Sequence, residues 1–277
     1  NSLLLLWFVP IGLAASYYLI PKVVGRAIFS YQLALGGFWM FAILGAWTGI
    51  QKYMGGPLPS WMPSVSGAAS ILLLIPVTAI AINHHRTVKG SHHLIGQSPT
   101  LRFTFFGAIA FNLFALVGAL LSFFSIGGAG QFSHAQAGFQ MLGLYGFFTM
   151  AMFGAIYFIL PRLVKCEWVS AKWINTHFWL SSYGVIAMIG CLLFGGLSQG
   201  REMNALENEF LVSVEVASGY LVGRSLAWVF IIIANLIFFF HVLLMVLRLG
   251  PPSGEPTLLH HEESAEESLP TAQVSQA

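Results

Sequence analysis

"AGFQMLGLYGFFTMAMFGAIYFILPRL", residues 137–163, is the stretch that decides the fold. It carries no charge before Arg162, and glycines at 138, 143 and 146 fall in its first half. An apolar run of about 20 residues can cross the hydrocarbon core of a bilayer as an α-helix. Small residues let a neighbouring helix approach such a helix closely. The stretch therefore predicts a membrane-spanning helix that packs against other helices.

The composition of the whole chain agrees with this interpretation. Of the 277 residues, 57% are hydrophobic and 8% are charged, and the mean hydropathy is +0.77. A soluble domain carries about 25% charged residues. Only helices and closed barrels span membranes, and the apolar runs here are about twice as long as a barrel strand. We therefore expect an all-α, polytopic membrane protein. No basic stripe indicates a nucleic-acid partner.

Apolar runs of this kind recur seven times, and each predicts one spanning helix. They form a transmembrane domain over residues 1–250. Residues 251–277 are rich in Pro, Glu and Ser, which is typical of a disordered tail. The predicted spans are Ser2–Ile20, Tyr31–Ile50, Ser64–Ile82, Leu101–Ser125, Ala137–Leu160, Trp173–Leu197 and Ser225–Leu247.

The basic residues predict the orientation, because cytoplasmic loops carry an excess of Lys and Arg. Nine basic residues flank one side of the spans, and three flank the other. We expect the richer side, with the tail, to be cytoplasmic and residue 1 to lie outside. The nine are Lys22, Arg26, Arg86, Lys89, Arg102, Arg162, Lys165, Lys172 and Arg248, and the three are Lys52, Arg201 and Arg224.

The longest predicted outer loop, residues 198–224, holds four glutamates. An acidic outer face could dock a basic partner such as a soluble cytochrome, by electrostatic complementarity. The alternative is a solvated loop without a partner.

Ionisable side chains inside a membrane are candidates for function. His241 is either a haem or proton-relay residue, or a histidine that packs with a hydrogen bond or faces lipid. His177, near the cytoplasmic end of its span, suggests an interfacial role rather than a ligand. The histidines 84, 85, 92 and 93 lie in one cytoplasmic segment, which is either a metal site or a plain basic loop.

His134 and Met141 are seven residues apart, so they share a helix face. Both residue types ligate haem iron, but one helix face cannot supply ligands on both sides of a haem. Met141 alone could be one axial ligand, and core packing is the alternative.

Several segments together resemble subunit I of the cbb-type, or C-family, haem–copper oxidases. They include "YYLIPKVVGRAIFSYQLALGGFWMFAILGAWTG", "GGPLPSW", "QSPTLRF", "LGLYGFFTMAMFGAIYFILPRL" and "WINTHFWLSSYG". The likeness runs from residue 1 to about 250. It covers the last seven of the twelve spans of that subunit. The resemblance implies a haem–copper oxidase subunit I-like bundle in a bacterial inner membrane.

The resemblance also implies where metal ligands should fall. Two family histidines, one for each haem, correspond to Phe139 and Met141. The copper-binding histidine pair corresponds to Gln51 and Lys52. The crosslinked tyrosine falls at Gly45, and a glutamate near the metal centre falls at Val117. A third copper histidine would directly precede Asn1, outside the sequence. Phe139 has no lone pair for iron, and a protonated Lys52 would repel a copper cation.

Three hypotheses follow from this replacement. The first is a non-catalytic scaffold that carries no cofactor and packs against other respiratory subunits, lipid or quinone. The second is a working cytochrome c oxidase component, with haem b held by Met141 or His134 and other ligands supplied by a chain that provides the missing helices. The third is a transporter or channel that reuses the haem cavity, although intramembrane charges are few. We expect the first, so that this chain alone does not catalyse oxygen reduction.

Overall fold

The computed structural model describes residues 1–250 and contains seven helices that are long and apolar enough to cross a membrane. The prediction of an all-α bundle with seven spans is thus confirmed. The predicted tail, residues 251–277, lies outside the described residues. The spans are α1 (Leu4–Val24), α2 (Tyr31–Tyr53), α3 (Trp61–Val88), α4 (Pro99–Leu120), α5 (His134–Val164), α6 (Ala171–Asn204) and α7 (Phe210–Val246).

Local sequence explains where several helices begin and bend. The Ser30 side chain caps α2 by accepting from the Leu33 amide at 3.2 Å. Ser98 caps α4 in the same way, and Pro99 follows as its first residue. In α3 the helical stretches Trp61–Leu72 and Leu74–Val88 are separated at Leu73. Pro76 accounts for this break, because its ring crowds the carbonyl four residues earlier.

Six of the seven helices are longer than the apolar runs that predicted them, and α4 is shorter. Residues 198–224 were expected to form a loop, but α6 continues to Asn204 and α7 already begins at Phe210. That expectation is wrong, because it ended each helix where charged side chains begin. Helical backbone needs no apolar side chains, and Glu, Ala and Leu all favour it. Only residues 205–209 connect the two helices.

Turns at the two ends of the bundle differ in charge. One end, here called the acidic end, is formed by residues 49–60, 121–133 and 205–209, with Glu207 and Glu209 in the last segment. Hydrogen bonds join these segments, for example from Gln131 Nε2 to the Gln51 carbonyl at 3.3 Å. The opposite, basic end is formed by residues 25–30, 89–98 and 165–170, and there Arg26 Nη1 donates to the Lys89 carbonyl at 2.8 Å.

The helices differ in how much of their surface they bury. In α4 and α6, 50% of the residues in the apolar stretch are buried, whereas in α2 and α7 the share is 22%. Helix α6 packs along α7 and against the first turns of α5. The outer faces of α2 and α7 are therefore available to lipid or to other helices.

Two π-helical segments interrupt the α-helical pattern, Leu4–Phe8 in α1 and Leu142–Thr149 in α5. A π turn inserts an extra residue and often marks a functional site. The segment in α5 lies immediately after residues 134–141, which run along the candidate site described next.

Candidate functional site

A cavity of about 40 Å³ lies at the acidic end, where α2, α3, α4 and α5 meet. It is lined by both polar and aromatic side chains. Residues that the sequence analysis singled out contribute three of them, Gln51, Lys52 and Phe139. The structure therefore brings together positions that are far apart in the chain.

Hydrogen bonds to both the oxygen and the nitrogen of its amide hold the Gln51 side chain in place. Its Oε1 accepts from the Gly49 amide at 2.7 Å and from the Ser66 hydroxyl. Its Nε2 donates to Ser70 Oγ at 2.8 Å. Gly49 makes this turn accessible, since its φ of 104° is disfavoured for residues with a Cβ. Gln51 thus belongs to a hydrogen-bonded network of neutral groups.

Lys52 extends into the cavity beside this network. Its Nζ donates to Asn1 Oδ1 at 3.3 Å and lies 5.3 Å from the centroid of the Phe139 ring. Gln131 Nε2 donates to the Lys52 carbonyl at 3.3 Å and fixes the backbone. Among residues 1–250, no carboxylate forms an ion pair with Lys52. The ammonium is stabilised by a cation–π contact and an amide rather than by an opposite charge.

Phe139 is buried and held by a second ring. It stacks on Phe114 with the centroids 4.5 Å apart and an angle of 14° between the planes. On the neighbouring turn of α4, a Cβ added to Gly118 would lie 3.1 Å from the Phe139 ring. The absence of a side chain at Gly118 leaves the space that the aromatic ring occupies.

The remaining predicted site residues do not line this cavity. Gly45 is buried, and a Cβ there would contact Leu6 and Phe41 at 3.8 Å. His134 begins α5, where its amide donates to Gln199 Oε1 at 3.2 Å. Met141 packs against the apolar core, as Val117 does. The structure therefore separates His134, Met141 and Gly45 from the cavity that holds Lys52.

Near the basic end, an aromatic cluster that the sequence does not reveal surrounds His177. This side chain is fully buried between helices, and its expected interfacial role stays a prediction. Its Nδ1 lies 2.8 Å from Tyr157 Oη, and its ring stacks on Phe238 at 5.0 Å. Hydropathy places His177 near the start of α6, at the basic end of the bundle, but does not give the direction of its side chain. Aromatic residues on α4, α5 and α7 pack against its ring.

His241 packs into the same region, one turn after Phe238. Its Nε2 accepts from the Ser170 amide at 3.3 Å, and its ring lies 4.8 Å from Trp168. It is fully buried, so it is a hydrogen-bonded packing histidine rather than one that faces lipid. In turn, Trp168 Nε1 donates to the Tyr157 carbonyl at 3.2 Å. These contacts connect the 165–170 turn to α5 and α7.

The four histidines between residues 84 and 93 do not converge. His84 is buried, with its ring 4.6 Å from that of Tyr17. His85 and His92 are exposed, with ring centroids 5.6 Å apart. Within residues 1–250, no group of three or more His, Cys, Asp or Glu side chains is placed to hold a metal ion.

Comparison with known proteins gives the family. The model described as "Cytochrome C and Quinol oxidase polypeptide I" matches residues 2–230. The chain belongs to this family. The resemblance to oxidase subunit I is therefore confirmed, together with the expected helical architecture.

Curated relatives of this chain include a cbb3-type subunit. The chain is 27% identical over 198 residues to "Cbb3-type cytochrome c oxidase subunit CcoN1" of Stutzerimonas stutzeri, covering 71% of this chain and 42% of that protein. It is 28% identical over 252 residues to "Cytochrome c oxidase subunit 1 homolog" of Azorhizobium caulinodans, covering 87% and 46%. The chain spans less than half the length of these relatives.

Haem and copper are the groups that oxidase subunit I-like chains imply, and the residues of this cavity do not fit them. Copper sites use imidazole or sulfur ligands, whereas Gln51 offers an amide already engaged with Ser66 and Ser70. Lys52 offers an ammonium, which has no lone pair while it is protonated. Phe139 offers only a ring face. No histidine lines the cavity and Met54 supplies its one sulfur atom, so the lining lacks the set of imidazoles that a haem–copper site needs.

Proposed function

We propose that this chain is a non-catalytic, oxidase subunit I-like membrane subunit of a respiratory or electron-transfer complex. One observation carries the proposal. Phe139, where the resemblance places a haem-ligating histidine, stacks on Phe114 and lies 5.3 Å from the Lys52 ammonium, where the resemblance places a copper ligand. Aromatic packing and a fixed positive charge thus replace two metal-binding functions at one place. The fold is retained, and fold by itself carries no activity.

The proposed setting is a bacterial inner membrane, with the basic end in the cytoplasm. The nine-to-three distribution of basic residues supports this orientation, because positively charged loops are retained inside. Residue 1 and the candidate cavity would then lie toward the outer face. A cysteine introduced at exposed Leu206 should react with a membrane-impermeant maleimide in intact cells, whereas one at exposed Lys165 should not. Labelling at Lys165 alone would reverse the orientation.

The proposed partners are other membrane subunits of the same complex. The outer faces of α2 and α7 carry large exposed apolar side chains, including Trp39 and Phe239. A chain that supplies further helices could cover such faces, and lipid or quinone could occupy the rest. The glutamates at the acidic end support docking of a basic cytochrome c there.

The deciding experiment is a pyridine-haemochrome spectrum with copper analysis on the chain purified gently with its partners. We expect neither haem nor copper bound to this chain. Partners that carry haem are separated afterwards, and each polypeptide is assayed by itself. Stoichiometric haem and copper on this chain would overturn the proposal.

The second candidate is a working component of a cbb-type cytochrome c oxidase. The names of the curated relatives favour it, and their greater length leaves room for ligands from outside this chain. Haem b without copper would assign a ligand role to Met141 or His134, neither of which lines the cavity. The transport hypothesis stays a prediction, and ion flux in liposomes tests it.

A further inference from the structure

We propose that the cavity at the acidic end binds a small monovalent anion, with Lys52 as its principal ligand. This inference goes beyond the scaffold role, since a structural subunit needs no such ligand. It rests on the charge, the free hydrogen-bonding capacity and the size of the cavity.

The charge of the lining is positive. Lys52 is half-buried and carries three N–H donors, of which one has a described partner, the Asn1 amide oxygen at 3.3 Å. No Asp or Glu lines the cavity. A desolvated ammonium without an opposite charge is unfavourable, so an anion at this position would lower the free energy of the site. The Phe139 ring covers one side of the ammonium and leaves the other directions open.

A second lining residue has unused hydrogen-bonding capacity. The Oε1 atom of Gln136 is buried and has no hydrogen-bond partner. The oxygen and nitrogen of a side-chain amide are exchanged by a half-turn, so that Nε2 can face the cavity instead. Gln136 would then donate to the same anion as Lys52. Gln51 cannot take this role, because Gly49, Ser66 and Ser70 already engage its amide.

The size of the cavity selects the class of anion. Its volume of about 40 Å³ exceeds the roughly 10–15 Å³ that a single water requires. It suits chloride, nitrite or azide, whereas a hydrated sulfate is larger and carries two charges.

The test is equilibrium binding of ³⁶Cl⁻ to the chain purified with its partners, in gluconate buffer at constant ionic strength. We expect saturable binding of one chloride per chain, displaced by nitrite and azide but not by sulfate. Lys52→Gln should weaken binding by at least about tenfold, since hydrogen bonds to charged groups contribute that much. Lys52→Arg keeps the charge and should retain binding. Lys172→Gln, an exposed lysine at the other end, is the matched control and should bind as the unmodified chain does.

Two results would overturn the inference. One is no saturable binding by the unmodified chain, which would mean that the cavity holds only water. The other is unchanged binding in Lys52→Gln. If Lys52→Gln does not fold, Gln136→Leu tests the same site, and chloride binding unchanged in that variant would reject the inference. Haem and copper content is measured on the same samples, so that an anion held by a metal is recognised by its optical shift. Metal bound to this chain would overturn the scaffold proposal, and that result is distinct from the result of the binding assay.

Discussion

The acidic-end cavity and the basic-end aromatic cluster differ in how completely side chains fill the space between the helices. Around the cavity, amides, hydroxyls and backbone groups hold Gln51 and Lys52 in place and leave a small open space. Around His177, rings from α4, α5 and α7 close the space almost completely. The difference indicates that the basic end contributes packing stability, whereas the acidic end keeps the capacity to bind a ligand.

The largest effect should come from removing a ring at the basic end. Phe103 is fully buried and contacts Phe153, Tyr157 and Phe178. We expect Phe103→Ala to lower the free energy of unfolding by about 3 kcal/mol, near the low end for Phe→Ala because lipid rather than water is the alternative surrounding. Equilibrium unfolding in mixed micelles measures it. Phe194→Ala, on the exposed face of α6, is the control and should be nearly neutral.

A smaller loss is expected where backbones meet at the acidic end. A Cβ at Gly196 would clash with the backbone of Ala135 at the start of α5. Gly196→Ala should therefore cost about 1–3 kcal/mol through overpacking. It should also displace residues 134–141 and weaken anion binding. Gly190→Ala on the same helix meets nothing within 4 Å and should leave both properties unchanged. Equal stability of the two variants would show that α5 and α6 are not in close contact.

A still smaller effect should follow from removing one hydroxyl. Tyr157→Phe deletes the 2.8 Å hydrogen bond to His177 Nδ1 and leaves both ring nitrogens unpaired, because Nε2 already lacks a partner. We expect a loss of about 1 kcal/mol in the same unfolding assay. Tyr183→Phe, at an exposed position on α6, should cause none. A stabilised Tyr157→Phe variant would mean that the ring packing alone fixes His177.

No change at all is expected when two histidines are restored. The double variant Phe139→His and Met141→His should consume no oxygen, because Gln51, Lys52 and Gly45 are unchanged. The measurement is cyanide-sensitive oxygen uptake by membranes that contain the variant, compared with membranes that lack the chain. Uptake above that background would show that the cavity can hold a working metal pair and would contradict the account of Gln51 and Lys52.

Apolar run length was sufficient to predict the seven spans, because the bilayer sets the same minimum apolar length for each of them. It did not predict that α6 extends past Leu197 or that α7 begins before Ser225, since helicity continues into polar sequence. Resemblance to a family, rather than spacing, singled out Lys52 and Phe139, but it did not predict the contact between them. Neither source indicated that Tyr157 contacts His177, because hydropathy gives depth but not the direction of a side chain.

The π-helical segment Leu142–Thr149 has a consequence for variants that differ in length. Loss of one residue there would allow regular α-helical geometry, in which each residue turns the helix by about 100°. Because the π turn already holds an extra residue, the preceding part of α5 and Met150–Val164 would both keep the faces they now present. Phe139 would keep its stack on Phe114 and its place beside Lys52. A single deletion in this segment would thus be absorbed locally, whereas a deletion within Met150–Val164 would rotate one part of α5 against the other.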